Sequence, residues 1–252
     1  MDDSFVITAL ASGGVDTDDL WRAHREGPGG WREVDKWTQE LPERIAELAG
    51  RALAGTGEAE PGERACVVGS VYGSGHVAEG IRARLDAGAR SSLAPESFVY
   101  FNPHGVTSLI CLRHRLNGFC TTVLGAGAGL QALAVAQRRL RLAPDTPVLC
   151  GAYEMLSPAA AQARGSGPVP GWAAFLVLET AARARRRHAR VLARLGAVEK
   201  CSAAQTRTAD VRATTPLAEL AARVRGDGAA AAATVSAAGS RHGYRVTAYK
   251  EG

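Results

Sequence analysis

The chain has 252 residues, of which 46% are hydrophobic and 22% charged, the composition of an ordinary globular protein with enough apolar material for one core or two closely packed ones. No apolar run approaches membrane-spanning length, and the acidic opening MDDSFVITALASGG lacks the basic n-region of a secretory signal, so a cytoplasmic protein without membrane contact is expected. Thirty basic residues against twenty-five acidic ones give +5, but aromatics are only 6% of the chain and none interleaves with the arginines, which argues against nucleic acid as a partner.

Apolar β-rich runs alternate with helical patterns along the chain. FVITAL at 5–10 reads as a strand. DDLWRAH at 18–24 and WTQELPERIAELAGRAL at 37–53 read as helices, with Asp18 and Asp19 in a helix first turn rather than as a catalytic pair. ACVVGSVYG at 65–73 is a second strand and VAEGIRARLDAG at 77–88 a third helical segment. In PESFVYFNPHGVTSLICLRHRLNG, 95–118, the middle has helical spacing. CTTVLG at 120–125 is a short strand, AGLQALAVAQRRLRL at 128–142 a helix ending before Pro144, and TPVLCGAYE at 146–154 a buried strand. A Pro, Ala, Gly and Ser-rich bridge at 157–171 leads to the strand WAAFLVLET and the arginine-rich segment 182–196, whose VLARLGAVE portion could return as a neighbouring strand. Continuous rather than alternating apolarity in these strands predicts helices on both sheet faces.

Composition shifts near Cys201, which predicts an organisational boundary between residues 1–200 and 201–252. Beyond it, PLAELAARVRG reads as a short helix and AAATVSAAGSRHGYRVTAYK as two strands around a glycine turn, with the alanine run at 229–233 part of a tightly packed strand. The five cysteines, Cys66, Cys111, Cys120, Cys150 and Cys201, are odd in number and widely spaced, which reads as reduced thiols rather than a disulfide framework or zinc site. No metal is expected. His24, His76 and His188 sit in no cluster suggesting ligation.

Three segments in order resemble the β-ketoacyl synthases, the condensing enzymes of fatty-acid and polyketide synthesis: RHRLNGFCTTVLGAGAGLQALAVAQRRLR, TPVLCGAYE, and VPGWAAFLVLETAARARRRHARVLARLG. ACVVGSVYGSG is similar to the family's early core strand. The resemblance spans about residues 4–197 and implies the thiolase-like fold, a layered α/β architecture with a mixed sheet. One complete βαβαβαββ half (1–200) would be followed by a reduced second half (201–252) packed on it.

In that family the strand-to-helix turn presents a cysteine whose thiolate is stabilised by the helix N-terminus and accepts an acyl group from a pantetheine thioester. The resemblance puts that nucleophile at Ala126 or Gly127, depending on which glycine anchors the comparison, and neither residue carries a thiol or hydroxyl. Cys120 matches a position that is not the nucleophile. His242, in the closing glycine turn, is the histidine positioned like the family's glycine-rich loop. His104, Tyr153 and Glu154 are further candidates, and His114 reads as structural.

Two functions are compatible with this pattern. One is a non-catalytic subunit of the chain-length-factor type, as found in type II polyketide and aryl-polyene systems. Such a subunit pairs with a cysteine-bearing ketosynthase, a transferase, as a heterodimer and shapes the acyl tunnel. The resemblance then implies an interface at Thr121, Thr122 and Val123, and a substrate presented on the phosphopantetheine of an acyl carrier protein, with no cofactor bound by the chain. Arg183, Arg185, Arg186, Arg187 and Arg190 are the candidate carrier-protein contact, with a solvated helix end as the alternative. The other function is a repurposed thiolase-fold enzyme acting on an acyl-carrier-protein thioester by decarboxylation, acyl transfer, isomerisation or cyclisation, without covalent capture.

Overall fold

The computed structural model describes residues 4–15, 17–56, 63–155, 157–163, 171–202, 214–226, 232–239 and 242–250. Strand β1 (Phe5–Val15) is followed by α1 (Asp18–Arg25), α2 (Trp31–Ala54), β2 (Ala65–Ser70), α3 (Gly75–Asp86), α4 (Glu96–Phe101) and α5 (His104–Arg113). Then come β3 (Cys120–Leu124), α6 (Ala128–Leu142), β4 (Val148–Glu154), α7 (Pro158–Ala163) and β5 (Gly171–Thr180). The remaining elements are α8 (Ala181–Arg186), β6 (Ala193–Leu195), β7 (Glu199–Cys201), α9 (Thr214–Arg225), β8 (Ala232–Ala238) and β9 (Gly243–Lys250). Most strands and helices fall where the apolar patterning puts them. Residues 158–163, read as part of a bridge, form α7 instead, and of the alanine run at 229–233 residues 229–231 lie outside the described residues while Ala232 and Ala233 of β8 are exposed and half-buried rather than tightly packed. Two elements also differ in extent. The first strand runs five residues past FVITAL, and α2 starts six residues before Trp37 and carries Pro42 in its interior.

The strands form one mixed sheet in the order β3-β2-β4-β5-β1-β6-β9-β7, with β8 paired to β9. β2 runs parallel to β3 and β4, and the other pairings are antiparallel. Successive residues of the central strands serve opposite faces. Val67, Cys150, Leu176 and Leu178 pack with α6, while Val68, Leu149, Phe175 and Val177 pack with α1, α2 and α5. Because helices cover both faces, residues of both parities are apolar, and this is the origin of the continuous hydrophobic runs.

β1 departs from simple alternation. Its register against β5 slips between Ile7 and Ala9, so that Thr8 is the extra residue of a bulge. Phe5 and Ile7 therefore join the α6 face, whereas Ala9 and Ala11 join the α2 face. The residues beyond Cys201 share the same core. Leu217, Leu220 and Val224 of α9, Val235 of β8 and Val246 of β9 pack in the cluster that holds Leu130 and Leu133 of α6. β9 also pairs with β6 and β7, so the composition shift near Cys201 does not coincide with a break in the sheet.

Candidate functional site

The turn between β3 and α6 is built on glycine. Gly125 has φ +105° and Gly127 φ +76°, the left-handed region that a side chain disfavours. Gly127 caps α6, the Gly127 carbonyl accepts from the Gln131 amide at 3.0 Å, and the Gln131 side chain donates to the Ala126 carbonyl at 2.8 Å. Gly69 of β2 lets the start of the helix come down on the sheet, since a β-carbon there would lie 2.5 Å from the Ala128 carbonyl oxygen. Above the turn sits the end of the β8–β9 hairpin. A β-carbon on Gly127 would lie 3.1 Å from the Tyr244 ring and 3.2 Å from the Ala238 carbonyl oxygen. The hairpin is closed by the Gly239 amide donating to the His242 carbonyl at 2.9 Å, and the His242 residue itself is exposed.

On the other side of the sheet, α5 packs over β3. His104 Nδ1 lies 2.9 Å from Thr122 Oγ1, which lies 2.7 Å from Thr107 Oγ1, and His104 Nε2 lies 3.9 Å from Cys120 Sγ. Cys111 Sγ is 3.3 Å from Cys120 Sγ. The Cys120 thiol is pushed well above the ordinary thiol range, first by its hydrogen bond to Cys111 and then by burial. For Cys111 the Cys120 contact acts to lower the pKa, but the contact with Cys66 and burial outweigh it and push the thiol up to about 12. A cavity of about 290 Å³ opens beside this cluster between α4 and α5, lined by Val99, Tyr100, His104, Ser108 and Leu112 among others. A larger groove of about 620 Å³ lies away from the turn, between α2 and α4.

The candidate residues are thus divided between places rather than gathered at one. His104 joins Thr122, while His242 belongs to the hairpin over Gly127. Tyr153 is fully buried on the α2 side and donates to the Pro103 carbonyl at 3.3 Å. Burial, then the charge of Glu154, raises its pKa, so it is a protonated phenol. Glu154, also buried, accepts from the Val71 and Tyr72 amides at 2.8 and 2.9 Å and from Ser70 Oγ at 3.2 Å. These bonds tie the end of β4 to the end of β2, a positional task.

β3 is a terminal strand of the sheet order, paired on one side by β2. Thr122 turns its hydroxyl to α5 and Val123 packs on the α6 side of the core, and among the described residues no strand pairs with the second backbone edge of β3. Exposed apolar side chains lie on the strand and on the helix over it: Leu124 at its end, Phe119 just before it and Leu112 on α5, while Phe98, Val99 and Phe101 are exposed on α4.

The arginine segment has two roles. Arg183 and Arg187 both pair with the fully buried carboxylate of Glu179, which also accepts from Thr8 Oγ1 at 2.6 Å. Arg186 pairs with Asp145 on the surface, and Arg185 and Arg190 are exposed. Sequence reasoning missed this network, although Glu179, Arg183 and Arg187 are spaced four residues apart. Among the described residues no group of three or more His, Cys, Asp or Glu side chains has the arrangement to hold a metal ion, and no helix is long and apolar enough to cross a membrane.

No family model matches the sequence, and no curated protein is similar to it at the sequence level. Solved structures do match. The chain superposes with a TM-score of 0.72 and 13% identity, over 100% of both chains, on a structure of a type II polyketide synthase acyl-carrier protein in complex with its ketosynthase bound to the hexaketide. It is similar to a chain of the ishigamide ketosynthase/chain length factor (TM-score 0.62, 20% identity, 82% of this chain and 65% of that one). It is similar also to a chain of the complex of the ketosynthase ApeO with its chain length factor ApeC from Xenorhabdus doucetiae (0.64, 14%, 96% and 98%). With its mixed sheet sandwiched between helices and its glycine-built turn from edge strand to helix, the chain has the thiolase-like fold of the ketosynthases and chain length factors.

Proposed function

We propose that this chain is a subunit of the chain-length-factor type that pairs with a cysteine-bearing ketosynthase and forms part of the wall of an acyl tunnel. The observation that carries this reading is the edge strand β3, which among the described residues pairs only with β2 and is flanked by exposed Leu112, Phe119 and Leu124. An open strand rimmed with large apolar groups is a surface that a neighbouring strand completes. The turn residues Ala126 and Gly127 fit the reading, because a wall needs no nucleophile and Gly127 is closed over by Tyr244. In this reading residues 1–200 supply the complete half of the fold and 201–252 the reduced one. The structures it resembles include complexes of a ketosynthase with an acyl carrier protein and with a chain length factor, which supports the same two kinds of partner here. The growing chain would arrive on the carrier protein's phosphopantetheine, with Arg185, Arg186 and Arg190 as the exposed basic residues of the segment that an acidic carrier surface would meet, Arg186 exchanging Asp145 for it.

Coexpression with a cysteine-bearing ketosynthase encoded nearby, followed by size-exclusion chromatography and native mass measurement, tests the proposal. A one-to-one complex is expected. A monomer that passes every such ketosynthase by overturns it.

A second reading, an enzyme acting on an acyl thioester without covalent capture, draws on His104 and Thr122 at the rim of the cavity between α4 and α5. Turnover of an acyl-carrier-protein thioester by the chain alone, lost on His104→Gln, would favour it.

A further inference from the structure

Cys111 and Cys120 bring their sulfurs to 3.3 Å across the contact between the end of α5 and the start of β3. A disulfide needs about 2.0 Å, so the sulfurs have to close by only a little over ~1 Å. Six residues between the two elements, 114–119, belong to neither, and Arg115 there adopts φ +52°, so the connection can adjust without unwinding either element. Of the other cysteines, Cys66 is near both, in contact with Cys111 and opposite Cys120 in the β2–β3 register, but it is fully buried and out of reach of a small disulfide in solution. Cys150 is also fully buried, and Cys201 lies on β7, at the opposite end of the sheet order from β3. Cys111 and Cys120 are only half-buried, and Cys120 has an oriented base beside it. His104 Nδ1 is occupied with Thr122 Oγ1, which leaves Nε2, 3.9 Å from the sulfur, facing the thiol.

We propose that Cys111 and Cys120 are a dithiol that a low-molecular-weight disulfide oxidises to an intramolecular disulfide, latching α5 to the edge strand β3. His104 Nε2 takes the Cys120 proton. The Cys120 sulfur then attacks one sulfur of the small disulfide RSSR, its S–S bond breaks, and the departing thiolate is protonated as RSH. The Cys111 sulfur, after giving up its proton, attacks Cys120 in the mixed disulfide and expels the second RSH. Two protein thiols lose two electrons in total, and one RSSR becomes two RSH. Because both thiols titrate above the ordinary range, the thiolate fraction and hence the rate rise with pH, approaching ~tenfold per unit in the neutral range. The latch lies on the face proposed above to meet a partner, but its formation does not depend on that pairing.

The purified full-length chain is incubated with oxidised glutathione, its remaining thiols are alkylated, and tryptic peptides are mapped by mass. Arg113 and Arg115 fall between the two cysteines, so their peptides separate unless bridged. The expected result is a Cys111–Cys120-linked peptide, loss of two of the five alkylatable thiols, recovery of both with dithiothreitol, and faster closure at pH 8.5 than at pH 7. Cys111→Ser should stall at one glutathione on Cys120, and His104→Gln should slow closure. If both cysteines remain alkylatable, if glutathione stays attached to the wild-type chain as a mixed disulfide, or if the linked peptide contains Cys66, the proposal is overturned. The wild-type map decides this even if a variant fails to fold.

Discussion

Tyr244 stands over Gly127, its ring 3.1 Å from where a β-carbon would be. The residue that opens α6 is therefore held to glycine twice, by the hairpin above it and by its own φ of +76°. Gly127→Ala should lower the unfolding free energy by about 2–4 kcal/mol, about half from left-handed backbone strain and the rest from contact with the hairpin. Urea titration measures the total. Adding Tyr244→Ala should return only the ring's share of the contact, because the Ala238 carbonyl oxygen 3.2 Å from the same β-carbon and the backbone strain at residue 127 both remain.

Ala126 is half-buried and has no positive φ, so Ala126→Cys should fold nearly as well as the parent. Under the chain-length-factor reading the new thiol should alkylate yet support no condensation of acyl and malonyl thioesters. Neither His104 nor His242 is positioned to serve it together with the other: one is the first residue of α5, hydrogen-bonded to Thr122, and the other is exposed in the hairpin over the turn. Carbon–carbon bond formation by this single variant would refute that account of the turn.

Glu179 is the anchor of a buried charge network with Thr8, Arg183 and Arg187. Burial acts to raise its pKa, but hydrogen bonds from Arg187 and Thr8, then the charges of both arginines, outweigh burial and hold the carboxyl below its usual value. A folded pKa below the unfolded one contributes stability above about pH 4.5 that is lost as pH falls through the folded value. Glu179→Ala should destabilise the fold by about 3–5 kcal/mol, since it strands two part-buried guanidiniums. Arg187→Glu should unfold the chain, whereas Arg190→Glu, on the exposed end, should leave its melting temperature within a degree or two.

Much of this arrangement is legible in the sequence, and the gaps have physical causes. The continuous apolarity of residues 148–152 and 173–178 announces a sheet covered on both faces, and the glycines of residues 125–129 announce a tight strand-to-helix turn. The bulge at Thr8 is not legible, because FVITAL reads the same whether or not the strand slips by one residue. The position of β3 at the sheet edge is also hidden. Strand order is a tertiary property, and CTTVL carries the same β-branched signal as an interior strand. Residues 183–190 look like a solvated basic surface because charge count is blind to Glu179, four residues upstream and buried. Cys111 and Cys120 meet only because the chain doubles back between α5 and β3.

His76 carries a second, milder acid sensitivity. It is buried at the start of α3, and neither ring nitrogen has a hydrogen-bond partner among the described residues. Burial, then the nearby charge of His24, lowers its pKa from 6.5 to about 4. The unfolded chain binds this proton more readily, so the contribution is fully present above pH 6.5 and is lost as pH falls toward 4, up to about 3 kcal/mol. His76→Leu should flatten that part of the stability curve without loss at pH 7, because it replaces unpaired buried nitrogens with apolar volume. Chemical denaturation at half-unit pH steps separates this window from that of Glu179, which lies lower. An unchanged slope in His76→Leu would assign the acid sensitivity elsewhere.

The edge-strand proposal makes a sharper demand on side chains than on the strand itself. Leu124 is 52% and Leu112 78% exposed in the free chain, so Leu124→Lys and Leu112→Lys should change its stability by no more than about 0.5 kcal/mol. At a buried interface the same charges would be stranded in an apolar contact, and association with a ketosynthase should weaken at least a hundredfold. Thr122→Arg and Val123→Asp are poorer probes. The first breaks the contacts with His104 and Thr107, and the second places a carboxylate against the α6 core. Both should lower the melting temperature of the chain by itself. Co-elution with a ketosynthase together with thermal melts of each free variant distinguishes these effects, and a Leu124→Lys, Leu112→Lys double variant that still pairs like the parent would move the interface away from β3.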